Sequence, residues 1–248
     1  MSYERFAYLY DELMEEAPDE EWVRFVLKKV EKHGVMKRDM LDLACGTGEL
    51  SIRFAKEGFN ITGVDLSEDM LTVANAKAEG AGFHIPFFQQ DMSALEGLRS
   101  FDVIGIFCDS LNYLRSEEEV INTFSHVFKH LREDGIFIFD VHSTYKITQG
   151  FINQTFTLND DQLAYIWNSF AGEHPNSVEH ELTFFVLDEN SGKYDRFDEL
   201  HYQRTYSVEQ YKHWLEEIGF NLVEVCADFE DAGPQSDSER IFFMAKKA

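Results

Sequence analysis

The sequence predicts a doubly wound α/β fold, with a mostly parallel seven-stranded sheet and an inserted antiparallel β lobe. Strand-like and helix-like segments alternate five times before residue 142, a rhythm typical of parallel sheets. The alternation stops over residues 143–205, and it resumes with one helix and two strands. We therefore expect an α/β domain made of residues 1–142 and 206–248, and a lobe made of residues 143–205.

The helices and strands of the α/β domain follow from hydrophobic spacing and from their end signals. Apolar residues at helical spacing predict the first helix over Glu20–His33, and Gly34 ends this helix. Ser67 is a predicted N-cap, Ser116 and Glu119 form a predicted capping box, and Ser207 caps the last helix. The predicted strands are 40–45, 58–65, 85–89, 101–108, 136–141, 220–227 and 241–245, and a turn is predicted at 132–135.

The inserted lobe is predicted from alternating strand-like segments and from turn signals between them. The segments are Leu163 to Trp167, Glu179–Leu187, and Leu200 with Tyr202 and Tyr206. Turns are expected at Asn159-Asp160, His174-Pro175-Asn176 and Glu189 to Gly192. No amphipathic helix is expected in this part of the chain.

The amino-acid composition excludes several classes of protein. The chain has 248 residues, of which 44% are apolar, so it can bury a sizeable core. Asp and Glu outnumber Lys and Arg by 46 to 22, and this balance argues against a nucleic-acid partner. Cys45, Cys108 and Cys226 lie far apart in apolar runs, which indicates reduced core thiols and no metal site. Without a signal-peptide pattern or a membrane-spanning run, we expect a cytoplasmic protein.

A glycine-rich turn joins the first strand to the next helix. Gly46 and Gly48 let the backbone approach a ligand closely, and the helix N-terminus presents free N–H groups. A dinucleotide site would need glycine or alanine at position 51, which is serine. Asp42, four residues before Gly46, instead suits a site for an uncharged nucleoside with an amino-acid tail. The turn by itself leaves both interpretations open.

Acidic residues stand at the ends of successive predicted strands. Asp65 lies nineteen residues after Gly46, where a carboxylate can accept hydrogen bonds from ribose hydroxyls. Asp91 could accept a hydrogen bond from the exocyclic amine of adenine, and Met92 could lie on the adenine ring. Asp109 ends the fourth strand. Carboxyl ends of parallel strands meet at one edge of a sheet, so these residues predict one composite site.

Together these segments resemble the motifs of the class I S-adenosylmethionine-dependent methyltransferases, which have a Rossmann-like fold. The matching stretches are Asp42-Leu-Ala-Cys-Gly-Thr-Gly, Gly63-Val-Asp65-Leu-Ser, Gln90-Asp91-Met92 and Phe101-Asp102-Val-Ile. The chain is most similar to small bacterial members with a Tyr10-Asp11-x-Leu13-Met14 segment and a β-rich insertion. Ala44 replaces a glycine that many members have. The resemblance implies S-adenosyl-L-methionine as cofactor, bound by Asp42, Ala44, Cys45, Gly46, Gly48, Asp65, Leu66, Met70, Asp91, Met92 and Asp109.

The resemblance implies methyl transfer, and it leaves the catalytic residues open. Transfer from a sulfonium depends mainly on alignment of the nucleophile, so a general base is optional. The candidates beside the methyl group are Tyr10, His142, Tyr145 and Tyr113.

The acceptor is expected to be a small molecule. No Asn/Asp-Pro-Pro-Tyr motif follows strand four, and Cys108 has no neighbouring proline, so base-methylating subclasses are disfavoured. We expect residues 1–20, as an arm or lid, and the lobe to wall the acceptor pocket. Two other functions stay open, a non-catalytic adenosyl-ligand binding protein and an NAD-dependent oxidoreductase. The methylated atom and the oligomeric state are not predicted.

Overall fold

The computed structural model describes residues 18–36, 38–189 and 191–247, so the predicted arm lies almost wholly outside the described residues. None of the described helices is long and apolar enough to cross a membrane. The helices are α1 (Asp19–Lys32), α2 (Glu49–Lys56), α3 (Glu68–Gly80), α4 (Glu117–His130) and α5 (Val208–Ile218). The strands are β1 (Asp39–Leu43), β2 (Asn60–Asp65), β3 (Phe87–Gln89), β4 (Phe101–Ile106), β5 (Leu131–His142), β6 (Thr155–Asn159), β7 (Leu163–Ala171), β8 (Ser177–Asp188), β9 (Lys193–Arg204), β10 (Phe220–Ala227) and β11 (Arg240–Lys247).

Seven of the strands form one sheet, in the order β10-β11-β5-β4-β1-β2-β3. The pairs among β1 to β5 are parallel, whereas β11 runs antiparallel to both β5 and β10. The predicted fold class is confirmed. Strand order reverses between β1 and β4, and ligands of such sheets bind in the crevice at that reversal.

The predicted helix ends are confirmed at three serines. Ser67 Oγ accepts a hydrogen bond from Met70 N at 3.3 Å, and Ser207 Oγ accepts one from Gln210 N. Ser116 and Glu119 form the complete capping box, with each side chain bonded to the backbone N–H of the other. Each cap satisfies N–H groups that the helix itself leaves without partners.

The core consists of two apolar clusters, one on each face of the seven-stranded sheet. Alternation along β11 illustrates the division, because Phe243 belongs to one cluster and Phe242 to the other. The first cluster packs under α4 and α5 and includes Phe139, whose ring stacks on Phe243 at 4.8 Å. The second packs under α1 and includes Trp22. The sheet is therefore covered on both faces, as a doubly wound fold requires.

Several predicted strand ends in the α/β domain were wrong by two residues or more, at the strands predicted over 40–45, 58–65, 85–89, 101–108, 136–141 and 241–245. The third strand begins at Phe87 instead of residue 85, because Pro86 has no N–H to donate to the sheet. Residues 132–135 were predicted as a turn before the fifth strand, but β5 begins at Leu131. Leu131 pairs with Phe101, and the register of β5 against β4 then shifts.

The inserted lobe is a separate four-stranded antiparallel sheet with the order β6-β7-β8-β9. Two of its elements were not predicted. Strand β6 has the sequence Thr-Phe-Thr-Leu-Asn, which does alternate polar and apolar residues, but it is short and mostly exposed, and the prediction missed it. Lys146–Phe151 forms a π-helix between β5 and β6, and Ile147 and Phe151 are its buried residues. Tyr206, predicted with the last lobe strand, lies after β9.

Candidate active site

The glycine-rich turn after β1 adopts a backbone that requires its glycines. Gly46 and Gly48 have φ values of 54° and 74°, in the left-handed region that favours glycine. A Cβ at Gly46 would meet no atom within 4 Å, so the turn faces open space there. A Cβ at Gly48 would come within 3.0 Å of Ala74 Cβ on α3. The turn is therefore packed against α3 on one side and accessible to a ligand on the other.

Asp65, at the end of β2, fixes this turn. Its Oδ2 accepts a hydrogen bond from Gly46 N at 2.8 Å, and its Oδ1 accepts one from Ser67 N at 2.9 Å. Burial raises the pKa of the carboxyl, and these two hydrogen bonds oppose that rise. Each carboxylate oxygen keeps a further lone pair. Asp65 can therefore accept two more hydrogen bonds from a ligand beside the turn.

Asp42 is buried beneath the turn, where Ser51 holds it. Ser51 Oγ donates to Asp42 Oδ2 at 2.5 Å, and both side chains are inaccessible or nearly so. Burial raises the pKa of Asp42 to about 6, against the hydrogen bond from Ser51 and with the added effect of the Asp65 carboxylate. Position 51, where a dinucleotide site would have glycine, thus carries a serine that orients Asp42.

A cleft of about 350 Å³ opens beside the turn. Four predicted cofactor residues line it: Asp42, Ala44, Cys45 and Gly46. The other lining residues were not predicted as cofactor residues, and they come from the turn itself, from α1, α2 and α3, and from the segment after β4: Asp19, Thr47, Glu49, Leu50, Arg53, Lys77, Phe107, Cys108 and Ser110. The remaining predicted residues do not line this cavity: Gly48, Asp65, Leu66, Met70, Asp91, Met92 and Asp109.

Those remaining residues at the ends of β2 and β3 have separate environments. Asp91 Oδ1 accepts hydrogen bonds from Ser93 N and Oγ, both at 2.8 Å, so Asp91 caps the short helix Met92–Ala94. Met92 packs against the core, and Leu66 is 66% exposed. Met70 packs against an apolar cluster of the inserted sheet. Met70 thus brings the lobe to the start of α3.

Asp109 lies at the centre of a buried ionic cluster that joins three strands of the main sheet. Its Oδ1 pairs with Arg240 Nη2 at 3.0 Å, and its Oδ2 lies 3.2 Å from His142 Nε2. Arg240 also pairs with Asp140, whose Oδ2 accepts the Asp109 backbone N–H at 2.9 Å. Although burial acts to raise it, the pKa of Asp109 is lowered by the charges of His142 and Arg240. The pKa of Asp140 rises to about 6 through burial.

A directional chain of hydrogen bonds connects this cluster to the inserted sheet. Trp167 Nε1, which can only donate, bonds to His180 Nδ1 at 2.9 Å, so the proton of this imidazole is on Nε2. Ser169 Oγ lies 2.8 Å from the same Nδ1. His180 Nε2 then donates to Gln203 Oε1 at 3.3 Å, and Gln203 Nε2 donates to Asp109 Oδ2 at 2.7 Å. Burial lowers the pKa of His180 to about 4, which keeps it neutral.

We call the side of the lobe sheet that carries these residues the inner face. It comprises Trp167, His180, Glu199, His201 and Gln203. Successive strand residues point to opposite faces, so residues 199, 201 and 203 share this face. Ile166 and Leu200, on the outer face, are 42% and 47% exposed. The inner face therefore covers the carboxyl ends of β4 and β5.

The predicted catalytic residues occupy different positions around this junction. The imidazole of His142 packs against Phe151 at 5.1 Å as well as pairing with Asp109. Tyr113 is 47% exposed, and its ring contacts the His201 ring at 5.9 Å. Tyr145 is 38% exposed at the start of the π-helix. Tyr10 lies outside the described residues.

Comparisons with known proteins agree on one family. The methyltransferase domain family matches residues 40–135. A Geobacillus sp. (strain WCH70) protein with a provisional methyltransferase name is 56% identical over 248 residues, 100% of both chains. YqeM of Bacillus subtilis (strain 168), also provisionally named a methyltransferase, is 48% identical over 100% of this chain and 98% of its own. The crystal structure of an S-adenosylmethionine-dependent methyltransferase from Clostridium acetobutylicum ATCC 824 matches with a TM-score of 0.89, at 33% identity and 100% coverage of both chains.

The chain belongs to the class I S-adenosylmethionine-dependent methyltransferases. This membership decides against the two other functions that the sequence left open, an NAD-dependent oxidoreductase and a non-catalytic binding protein. The turn of the methyltransferase fits its cofactor, because Gly46 faces open space and Asp65 has lone pairs left for hydroxyl groups. Of the two interpretations of the turn, the site for a nucleoside with an amino-acid tail is therefore the correct one.

The cysteines of the methyltransferase are free, but two of them are not ordinary core residues. Cys45 and Cys108 line the cleft, whereas Cys226 is buried in the core. The expectation of core thiols is confirmed for Cys226, whereas Cys45 and Cys108 are only partly buried, and Cys108 also packs against the second apolar cluster. Burial raises the pKa of Cys45 and of Cys108 well above the usual value. Both stay protonated at neutral pH, which makes them poor nucleophiles.

Proposed function

We propose that this methyltransferase acts on a small-molecule acceptor, which binds between the inner face of the lobe and the carboxyl ends of β4 and β5. The observation that supports this proposal is the direct contact between these two surfaces, near the glycine-rich turn after β1, which we call the cofactor turn. Gln203 bonds to Asp109, and Asn112 Nδ2 donates to the backbone oxygen of Arg204 at 2.7 Å. A site at this junction suits a compact acceptor, because the lobe covers the junction and excludes water from it.

The residues of the chain have distinct roles in this proposal. Asp65 holds the ribose, while Gly46 and Gly48 leave room for the methionine tail. Asp91 and Met92 contact adenine, and Asp109 lies near the methionine amine. S-adenosylmethionine supplies a methyl group already activated by the positive charge on sulfur. The chain contributes alignment of the acceptor, an orientation effect that can lower the barrier by about 7–11 kcal/mol.

The names of further relatives support an acceptor of low mass. A glycine/sarcosine N-methyltransferase of Aphanothece halophytica is 25% identical over 90% of this chain and 80% of its own length. A Streptomyces venezuelae N,N-dimethyltransferase, named for a dTDP-linked amino sugar, is 26% identical over 79% of this chain and 78% of its own. The formal net charge of −24 also disfavours a nucleic-acid acceptor.

Domain limits and location complete the proposal. Residues 143–205 form the lobe that walls the acceptor pocket, while residues 1–20, predicted to share this role as an arm or lid, lie almost wholly outside the described residues. The reaction takes place in the cytoplasm, a proposal supported by the three free thiols.

A labelling experiment tests the nature of the acceptor. Purified enzyme and methyl-labelled S-adenosylmethionine are added to a bacterial extract, which is then separated into low-mass filtrate, RNA and protein. We expect the label in the filtrate, in an amount that depends on added enzyme, and little in the other two fractions. Label that enters RNA or protein instead would contradict the proposal.

A further inference from the structure

Glu199 is a buried acidic residue on the inner face of the lobe, and none of the roles proposed above involves it. Its side chain is only 7% exposed. Among the described residues, its Oε1 has no hydrogen-bond partner and its carboxylate forms no ion pair. Burial raises the pKa of this carboxyl. A buried carboxylate without a partner is costly, because it loses water and gains nothing in exchange.

The neighbours of Glu199 along β9 connect the lobe to two places on the α/β domain. Two residues along β9, His201 contacts Tyr113 at the end of β4. Two residues in the other direction, Phe197 stacks on Phe184 at 5.0 Å, in the cluster that also contacts Met70 at the start of α3. In the main sheet β1 lies between β4 and β2, and α3 follows β2. Glu199 therefore lies on β9 between these two anchor points, which stand on either side of β1 in the main sheet.

No cation of the described chain neutralises this carboxylate. The titratable groups nearest to Glu199 on the inner face are His180 and His201, and burial lowers the pKa of both, so both are neutral near pH 7. Across the sheet, Glu199 pairs with Leu182, which pairs with Trp167 on β7. This row presents a carboxylate at one end and an indole at the other. It matches a ligand that has a cationic group and an apolar body.

We propose that the Glu199 carboxylate binds an ammonium group of the methyl acceptor. The inference rests on the proposed function, and it narrows the acceptor to an amine. The row Trp167, Leu182 and Glu199 belongs wholly to the lobe, whereas the cofactor turn belongs to the α/β domain. The ammonium group of the ligand would pair with the Glu199 carboxylate, whose Oε1 has no hydrogen-bond partner among the described residues.

Glu199→Gln is the central variant, since it removes the charge and keeps the shape. Glu181→Gln is the matched control, because Glu181 lies on the exposed outer face of the adjacent strand. Without added ligand, we expect Glu199→Gln to raise the melting temperature and the control to leave it unchanged. Burial raises the pKa of Glu199 in the folded state above the ordinary value of 4.5. The wild type therefore loses stability as pH rises above 4.5, and the increase in melting temperature caused by Glu199→Gln should grow over the same range. A lowered melting temperature would show that Glu199 has a structural partner and would overturn the proposal.

Ligand binding is tested on protein saturated with S-adenosylhomocysteine. The probes are ethanolammonium and glucosamine, each compared with its neutral counterpart, ethylene glycol and glucose. We expect at least one amine to raise the melting temperature of the wild type more than its counterpart, and this difference to vanish in Glu199→Gln. No preference for either amine, or a preference that persists in Glu199→Gln, would overturn the inference.

Titration with S-adenosylhomocysteine shows whether Glu199 binds the amine of the acceptor or the amine of the cofactor. It also distinguishes failure of this inference from failure of the proposed function. Affinity that is equal in the wild type and in Glu199→Gln is expected, because the amine belongs to the acceptor. Tenfold weaker binding in the variant would assign Glu199 to the cofactor amine instead and contradict the proposal. Failure of the wild type to bind the compound would refute the proposed function itself.

Discussion

Replacing Asp65 with asparagine is expected to weaken S-adenosylhomocysteine binding about 100-fold, because charge-assisted hydrogen bonds to hydroxyl groups are lost. The carboxylate also accepts the backbone N–H groups of Gly46 and Ser67. Asparagine offers one oxygen where the structure uses two, so the turn loosens as well. Isothermal titration calorimetry of the variant and the wild type measures the effect.

Glu68→Gln is the control for Asp65→Asn. Glu68 lies three residues further along the chain in the first turn of α3, with an exposed side chain, and the substitution makes the same chemical change. We expect it to leave the affinity within about twofold. Equal affinities for Asp65→Asn and the wild type would remove Asp65 from the cofactor site.

Arg240→Met is expected to destabilise the fold by about 3–5 kcal/mol, the usual effect of breaking a buried ion pair from one side. Arg240 pairs with both Asp109 and Asp140, and Asp140 is fully buried. The variant leaves two carboxylates in the interior without their cation. The free energy of unfolding from urea titration measures the loss at pH 7.5.

The loss should shrink as pH falls toward about 6. Burial raises the pKa of Asp140 to about 6 even though Arg240 lowers it, so the pKa is higher still without Arg240, and protonation above pH 6 removes one of the two charges that Arg240 compensated. Arg196→Met is the control, because Arg196 pairs with Asp198 on the surface, with exposures of 60% and 59%. Exposed pairs contribute about 0–1 kcal/mol. A similar small loss for Arg240→Met would show that the ionic cluster does not hold β4, β5 and β11 together.

The main sheet and its turn could be predicted because their signals are local. Asp42 and Asp65 lie near the carboxyl ends of β1 and β2, and Gly46 follows β1, at spacings that depend only on the strand–turn–helix unit. Ser67 and Ser116 cap their helices through residues three positions away. For such residues, physical neighbours are also sequence neighbours.

The junction of the lobe with the α/β domain could not be predicted in the same way. Gln203 and Asp109 are 94 residues apart, and Arg240 and Asp109 are 131 apart. Period-two alternation groups residues 199, 201 and 203 on one face, but it does not tell which face is covered. Asp140 did carry a signal, since an acid inside the apolar run 136–141 must have a partner when buried.

The most direct test of the account compares the two faces of the lobe. The variants Trp167→Ala and His201→Ala change the inner face, and their neighbours Ile166→Ala and Leu200→Ala change the outer face. Transfer of labelled methyl to the low-mass fraction of an extract is measured beside the affinity for S-adenosylhomocysteine. We expect about tenfold slower transfer for the inner-face variants alone, with unchanged affinity in all four. Equal transfer rates in all four variants would contradict an acceptor pocket beneath the lobe.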